Sequence, residues 1–191
     1  RGEILVILGG SGCGKSSLMK NIIGLYRPMG GDILIDGRSV VTAQPTEKAL
    51  LQRKLGVMYQ SGALWSSMTL SENIALPLEQ YTSLSPAQIR DIAAYKLALV
   101  GLRGFDDFYP SEISGGMQKR VGVARAMALD PDVLFFDEPS AGLDPLSARL
   151  LDEMQASLAG QGEAPFYIPT SGHEAIAAIT RKEPSLFSSW T

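Results

Sequence analysis

The chain has 191 residues, a length that corresponds to roughly one to one and a half domains of ~150 residues each. Apolar residues make up 45% and charged residues 19% of it, which excludes a disordered chain, a collagen-like fibre and a coiled coil. The net charge of −3 gives no basic field of the kind that attracts nucleic acid or membrane surfaces. The single cysteine excludes a disulfide framework and suits a reducing compartment. The apolar runs are far shorter than the ~20 residues that span a bilayer.

Strand and helix patterns alternate along the chain. The apolar run Ile4–Leu8 predicts a buried strand, which a glycine-rich turn separates from a helix over about residues 15–26. Further strands are predicted at residues 33–35, 55–59 and 133–136, and further helices at about residues 86–100, 115–129 and from 145 onward. This order predicts an α/β fold with a mainly parallel sheet covered by helices. The helical stretch within about residues 71–115 predicts a helical subdomain.

The turn after the first strand has the pattern G-x-x-x-x-G-K-[ST]. Its residues are Gly9, Gly10, Ser11, Gly12, Cys13, Gly14, Lys15 and Ser16, and Ser17 follows. Glycines let backbone N–H groups turn toward phosphate oxygens, and the N-terminus of the following helix adds partial positive charge. Lys15 would reach the β- and γ-phosphates, and the Ser16 hydroxyl would ligate Mg²⁺. The segment therefore predicts a site for ATP and Mg²⁺.

A second acidic segment follows the buried strand Val133–Phe136, which ends in Asp137 and Glu138. In a parallel sheet the carboxyl end of this strand would lie beside the phosphate-binding loop. We expect Asp137 to hold the metal and Glu138 to polarise the attacking water as general base.

A second helix N-terminus carries small polar residues. Ser114, Gly115 and Gly116 begin the helix predicted from residue 115, and Gln118 lies in its first turn. One nucleotide needs only one such anion-binding helix N-terminus. A second one implies either a second ligand or the nucleotide of a second chain.

These motifs, taken in order, resemble those of ABC-type ATPases. The signature motif of that family resembles Ser114-Gly115-Gly116-Met117-Gln118. Gln60 resembles the glutamine of the Q-loop, and residues 140–145, which include Asp144, resemble the D-loop. The resemblance runs from Arg1 to about Leu158. It implies a P-loop NTPase core in which two copies pair head to tail. Each ATP would lie between one chain's phosphate-binding loop and the other's signature residues, Gln118 among them. Gln60 would contact Mg²⁺ and the attacking water, and Asp144 would bridge the two halves.

The resemblance weakens toward both ends of the chain. It implies a histidine that contacts the γ-phosphate, and His173 is the only histidine; the alternative is a solvated loop histidine, since Pro169 interrupts the expected strand. Residues 181–191 have no strand pattern, and the sequence begins at Arg1 without a methionine or a signal peptide. We interpret residues 1–191 as one ABC ATPase domain whose N- and C-terminal parts are missing or irregular.

Residues 60–65 and 68–78 resemble the ATPases of Mla-type systems, which work with MCE proteins to move lipid at the bacterial inner membrane. This resemblance implies permease subunits, MCE-type lipid-binding subunits, small regulatory subunits and a peripheral position on the cytoplasmic face. The apolar residues of the same stretch indicate either a groove for a membrane partner's helix or ordinary core packing; they are Trp65, Met68, Leu70, Ile74, Leu76 and Leu78.

Three other functions stay open. One is an ABC importer motor for a polar solute, which residues 61–65 argue against. Another is a soluble ABC-type ATPase acting on nucleic acid or the ribosome, for which the chain has neither a basic surface nor a long insertion between Gln60 and Ser114. The third is an inactive binding domain, against which intact Lys15, Asp137 and Glu138 argue.

Overall fold

The computed structural model describes residues 7–10, 12–149, 151, 153, 175 and 176. The predictions for Ser11 and His173 lie outside these residues, as do the first strand's start at residues 4–6 and the third helix's positions Leu150, Met154 and Leu158. Within the described part of the chain, no helix has both the length and the apolar character needed to cross a bilayer.

Helices and short strands alternate through the described residues. In chain order they are β1 (Ile7–Leu8), α1 (Lys15–Ile22), β2 (Leu34–Ile35), β3 (Arg38–Ser39), α2 (Pro45–Gln52), β4 (Leu55–Met58), α3 (Leu70–Tyr81), α4 (Pro86–Leu99), α5 (Gly115–Ala126), β5 (Val133–Phe136) and β6 (Ala175–Ile176). Pro110–Glu112 form a 3₁₀ turn, and residues 145–149 are helical.

The pairing that places the functional residues is between β4 and β5. These strands are parallel, with Leu55 opposite Val133 and Met58 opposite Phe136, which confirms the predicted combination of helices with a parallel sheet. The other described pairings are antiparallel: β1 with β6, and β2 with β3. The turn between β2 and β3 is Asp36-Gly37, with φ angles of +50° and +74°, a combination that favours Asp-Gly in tight hairpins.

Two helices end earlier than the sequence predicts. Helix α1 stops at Ile22 instead of residue 26 because Gly24 takes φ +77°, and the N–H groups of Leu25 and Tyr26 then fold back to the Lys20 carbonyl at 2.9 and 3.0 Å. Helix α5 stops at Ala126 instead of Leu129. The sequence analysis also did not predict α2, which begins with Pro45 in its first turn.

The core lies where α3, α4 and α5 meet β4 and β5. Helix α3 packs on α4 and α5, and α5 packs on α4 and β4. The fully buried core side chains include Ile74, Leu78, Leu97, Val121, Phe135 and Phe136. A Cβ at Gly56 would collide with the carbonyl oxygen of Ala126, so glycine is needed at this point of β4 for α5 to approach it. The boundary of a helical subdomain at about residues 71–115 stays a prediction.

An ion pair joins α4 to the turn between α5 and β5. The Nζ of Lys96 lies 2.6 Å from Oδ1 of Asp130, and the Lys96 side chain is almost fully buried. Asp130 takes φ +47°, so the pair also fixes a residue in a conformation that L-amino acids other than Asn and Asp rarely adopt.

Replacing Lys96 by Met should destabilise the fold, because the half-buried Asp130 carboxylate loses the buried cation that faces it. We expect the free energy of unfolding, measured by urea denaturation, to fall by about 3 kcal/mol. Arg149→Met is the control, since it breaks the exposed pair between Arg149 and Glu153 (2.7 Å) and should leave the free energy of unfolding nearly unchanged. Equal losses in the two variants would contradict a structural role for the Lys96–Asp130 pair.

Candidate functional site

The phosphate-binding loop ends at a helix N-terminus that no side chain caps. Gly14 is the N-cap of α1 and takes φ +96°, a conformation that glycine adopts without strain. Helices α3, α4 and α5 are instead capped by the hydroxyls of Thr69, Ser85 and Ser114. Because no side chain satisfies the first N–H groups of α1, they can donate to an anion.

Lys15 lies across its own loop. Its side chain is buried, and its Nζ donates to the carbonyl oxygens of Gly9 and Gly10 at 2.6 and 3.0 Å. The Sγ of Cys13 lies 4.0 Å from the same nitrogen, and the Cys13 side chain is exposed. The loop therefore combines uncapped N–H groups with a cation held at its centre, which is what a polyphosphate requires.

Ser16 and Asp137 join the loop to the end of β5. The Ser16 hydroxyl donates to Oδ1 of Asp137 at 3.0 Å, and the backbone N–H of Asp137 continues the β4–β5 pairing to the Met58 carbonyl at 2.9 Å. A hydroxyl beside a carboxylate is a donor set that fits Mg²⁺, which takes few protein ligands and completes its shell with water and phosphate oxygens. Among the described residues no cluster of three or more His, Cys, Asp or Glu could hold a metal ion by itself.

Gln60 and Glu138 meet beside this pair. Gln60 Nε2 donates to Oε2 of Glu138 at 2.7 Å. Their meeting follows from strand register, since Met58 lies opposite Phe136 and the two functional residues each come two positions later. Glu138 is half-buried and takes φ +47°. The structure thus brings together four residues that the sequence analysis selected separately: Ser16, Gln60, Asp137 and Glu138.

A buried lysine on α5 supports the turn after β5. Lys119 of α5 donates to the carbonyl oxygens of Ala141 and, at 3.5 Å, of Glu138. Burial lowers the pKa of Lys119, and the negative charge of Glu138 opposes this effect. The sequence analysis missed Lys119, because a lysine beside Arg120 on an amphipathic helix has the pattern of a solvated face.

The signature residues form an exposed helix tip. Ser114 caps α5 by accepting from the Met117 N–H at 3.3 Å, and Ser114 and Gly115 are both exposed. The Gln118 amide instead turns back to the Pro110 carbonyl at 2.8 Å, where it holds the preceding turn. The expectation that Ser114, Gly115, Gly116 and Gln118 contact a nucleotide stays a prediction.

Asp144 caps the helix at residues 145–149. Its Oδ1 accepts from the N–H groups of Leu146 and Ser147 at 3.1 and 3.0 Å. Hydrogen bonds from the Ser147 side chain and backbone hold the pKa of Asp144 below its usual value. A Cβ at Gly116 would lie 3.0 Å from the Ser147 side chain, so the signature tip and the Asp144 turn are neighbours on one surface.

The apolar stretch after Gln60 divides between core and surface. Leu70, Ile74 and Leu78 are fully buried, whereas Trp65 is 62% exposed. Asn73, which is fully buried, binds the Trp65 backbone on both sides: its Oδ1 accepts from Trp65 N–H at 2.7 Å and its Nδ2 donates to the Trp65 carbonyl at 3.1 Å. Core packing therefore accounts for Leu70, Ile74 and Leu78. The backbone of the exposed Trp65 is held by Asn73, a residue that the sequence analysis missed.

Solved structures of similar fold are nucleotide-binding cassettes. The dimeric post-hydrolysis structure of the ATP-binding cassette MJ0796 with ADP and Pi has a TM-score of 0.75 and 30% identity, covering 84% of this chain and 71% of that one. The cbiO1 protein of Clostridium perfringens, part of the ABC transporter complex cbiONQ, has a TM-score of 0.75 and 29% identity, covering 84% of this chain and 64% of that one.

Curated relatives are ATP-binding proteins of transport systems. The probable ribonucleotide transport ATP-binding protein mkl of Mycobacterium tuberculosis is 45% identical over 169 residues, which are 88% of this chain and 47% of that protein. The intermembrane phospholipid transport system ATP-binding protein MlaF is 44% identical in Haemophilus influenzae, over 79% of this chain and 57% of that protein. Escherichia coli MlaF is 38% identical, over 83% of this chain and 60% of that protein.

The chain thus spans about half the length of the curated relatives it matches. A sequence model of the ABC transporter family matches residues 1–141. Since this match covers most of the chain and includes the loop of Lys15, the signature tip and the end of β5, the chain belongs to the ABC transporter family.

Proposed function

We propose that this chain is the ATP-hydrolysing motor of an ABC transporter that moves phospholipid through a membrane permease. The observation that carries the proposal is the hydrogen bond from Ser16 to Asp137, because it joins a phosphate-binding loop to a pair of acidic residues. The naming of the MlaF relatives as phospholipid transport ATP-binding proteins supports the choice of cargo.

Each residue at the site then has a task in hydrolysis. Lys15 and the first N–H groups of α1 bind the phosphates, and Ser16 and Asp137 would hold Mg²⁺. When bound, Mg²⁺ neutralises charge on the β- and γ-phosphates. Glu138 accepts a proton from the attacking water, and the oxygen of that water bonds to the γ-phosphorus. The bond from the γ-phosphorus to the bridging oxygen breaks, and ADP leaves with that oxygen. Gln60, which already donates to Glu138, orients the carboxylate.

Glu138→Gln should separate binding from hydrolysis. The amide keeps the size of the side chain but cannot accept a proton, so we expect turnover to fall about 100-fold or more while the affinity for MgATP stays within about threefold. Phosphate release and binding of a fluorescent ATP analogue measure the two quantities. Glu79→Gln, on the exposed face of α3, is the matched control. If the Glu138 variant hydrolysed ATP at the rate of the control, Glu138 would not be the general base.

We further propose that two copies complete each other's sites head to tail. Within the described residues, the Ser114 hydroxyl accepts only from the Met117 N–H, so the first N–H groups of α5, at the exposed tip, can still donate to an anion. The dimeric cassette of similar fold supports this arrangement. Asp144 would bridge the two halves, since its turn adjoins Gly116. The contact of His173 with the γ-phosphate concerns a residue outside the described ranges and stays a prediction.

Mixing two inactive variants tests the head-to-tail arrangement. Lys15→Ala removes the phosphate contact of one half-site, and Ser114→Arg blocks the other; each homodimer should be inactive. In a mixed dimer, the intact loop of one chain faces the intact tip of the other, so an equimolar mixture should regain about a quarter of the wild-type rate if sites act independently. The mixture should stay inactive if each chain forms a complete site alone.

The membrane partners follow from the same proposal. A permease, MCE-type lipid-binding subunits and small regulatory subunits would place the ATPase on the cytoplasmic face of the bacterial inner membrane. Ribonucleotide is a second candidate cargo, because the mkl relatives are 45% identical and are named for its transport.

The assembled complex distinguishes the two cargoes. We expect the ATPase, purified with its permease from native membranes, to retain phospholipid detectable by mass spectrometry. In detergent solution, added phospholipid should raise the ATP turnover of the complex above its rate without phospholipid, whereas ribonucleoside monophosphate should not. The Lys15→Ala complex should stay inactive in both cases. If only the ribonucleotide raised ATP turnover, the cargo would be ribonucleotide and not phospholipid.

A further inference from the structure

The loop that carries Gln60 has a conformation that needs external support. Gly62 and Ala63 take φ +72° and +50°, after a turn in which the Gly62 N–H donates to the Tyr59 carbonyl at 2.8 Å. For alanine the left-handed region is strained, because the Cβ approaches the following carbonyl oxygen. A loop so built, with Gln60 exposed at its start, holds its shape only if its surroundings favour that shape.

Arg125 supplies this support. Its Nη2 donates to the Gly62 carbonyl and its Nη1 to the Ala63 carbonyl, both at 2.8 Å. The planar guanidinium binds the two neighbouring carbonyl oxygens through two N–H groups in a fixed fork, a geometry that the ammonium group of a lysine does not have. Burial lowers the pKa of Arg125, and the facing Tyr59 phenol opposes this effect.

A second contact seats the same loop on the same helix. A Cβ at Gly122 would lie 3.0 Å from the Gly62 Cα and 3.2 Å from its carbonyl oxygen, so the two glycine backbones are already close. Gly122 and Arg125 are three positions apart on α5 and therefore lie on one face of it. The loop thus rests on α5 by steric fit and by two hydrogen bonds.

We propose that Arg125 is a positioning residue for hydrolysis: it fixes the Gln60 loop at the height where the Gln60 amide meets the Glu138 carboxylate. The inference rests on the proposed function of Glu138 as general base. Neither Arg125 nor Gly122 belongs to the phosphate-binding loop, so the inference concerns turnover and not nucleotide affinity. Because Ser114 caps the same helix, α5 also connects the signature tip to this loop.

Arg125→Met tests the proposal against Arg90→Met, which removes an exposed arginine from α4. A misplaced Gln60 should lower kcat about 100-fold, with the dissociation constant for a fluorescent ATP analogue changed less than threefold and the control unchanged. Arg125→Lys, which keeps the charge but not the fork, should recover only part of kcat. Gly122→Ala should also lower kcat, since its methyl group pushes the loop away. Wild-type kcat in both Arg125 variants would overturn the proposal.

A double variant distinguishes positioning from a general loss of structure. If Arg125 acts through Gln60 and Glu138, Arg125→Met should add less than about twofold to the loss already caused by Glu138→Gln, measured in single turnovers. Multiplied losses would show that Arg125 acts elsewhere and would overturn the inference. Unimpaired hydrolysis by Glu138→Gln alone would instead overturn the proposed function. Where Arg125→Met does not fold, Arg125→Lys in the same two backgrounds gives the same comparison.

Discussion

The parallel pairing of β4 with β5 determines the geometry of the whole site. Because Met58 lies opposite Phe136, β4 and β5 end side by side. Gln60 and Glu138, each two residues later, therefore lie within hydrogen-bonding distance of each other. Asp137 remains in the ladder through its N–H and presents its carboxylate to Ser16. A slip of one residue would turn each side chain to the opposite face of the sheet. The buried Phe135 and Phe136, by filling the core on either side, make such a slip unfavourable.

Helix α5 is the second element on which the site depends. It lies directly on β4 because Gly56 leaves room for it, and three of its residues contact functional loops. Lys119 binds the carbonyl groups of the turn that begins at Glu138, Gly122 contacts Gly62, and Arg125 binds two carbonyls of the Gln60 loop. A cation that binds carbonyl oxygens supports a loop without competing for the carboxylates that the chemistry needs. One helix therefore supports both residues of the Gln60–Glu138 pair.

The sequence was sufficient to predict β1, β2, β4 and β5, the glycine-rich loop and the acidic residues after β5, because each depends on local composition. It did not predict β3 or β6. It was not sufficient for the register that joins Gln60 to Glu138, which depends on contacts between distant parts of the chain. Arg125, Lys119 and Asn73 were missed for a related reason. Each is a polar residue within a helical pattern, and the pattern does not distinguish a solvated side chain from one that binds buried carbonyls. The end of α1 was displaced because Gly24 adopts a left-handed conformation.

The backbone at Glu138 carries a consequence for which residues this position can accept. A left-handed φ of +47° is tolerated best by asparagine and aspartate among residues with a side chain, so an aspartate would relieve conformational strain here. Its side chain, however, is one methylene shorter and would withdraw the carboxylate from the Gln60 amide. The position therefore favours glutamate over aspartate, although aspartate would be less strained. The backbone strain lowers local stability, and it allows the carboxylate to reach the Gln60 amide.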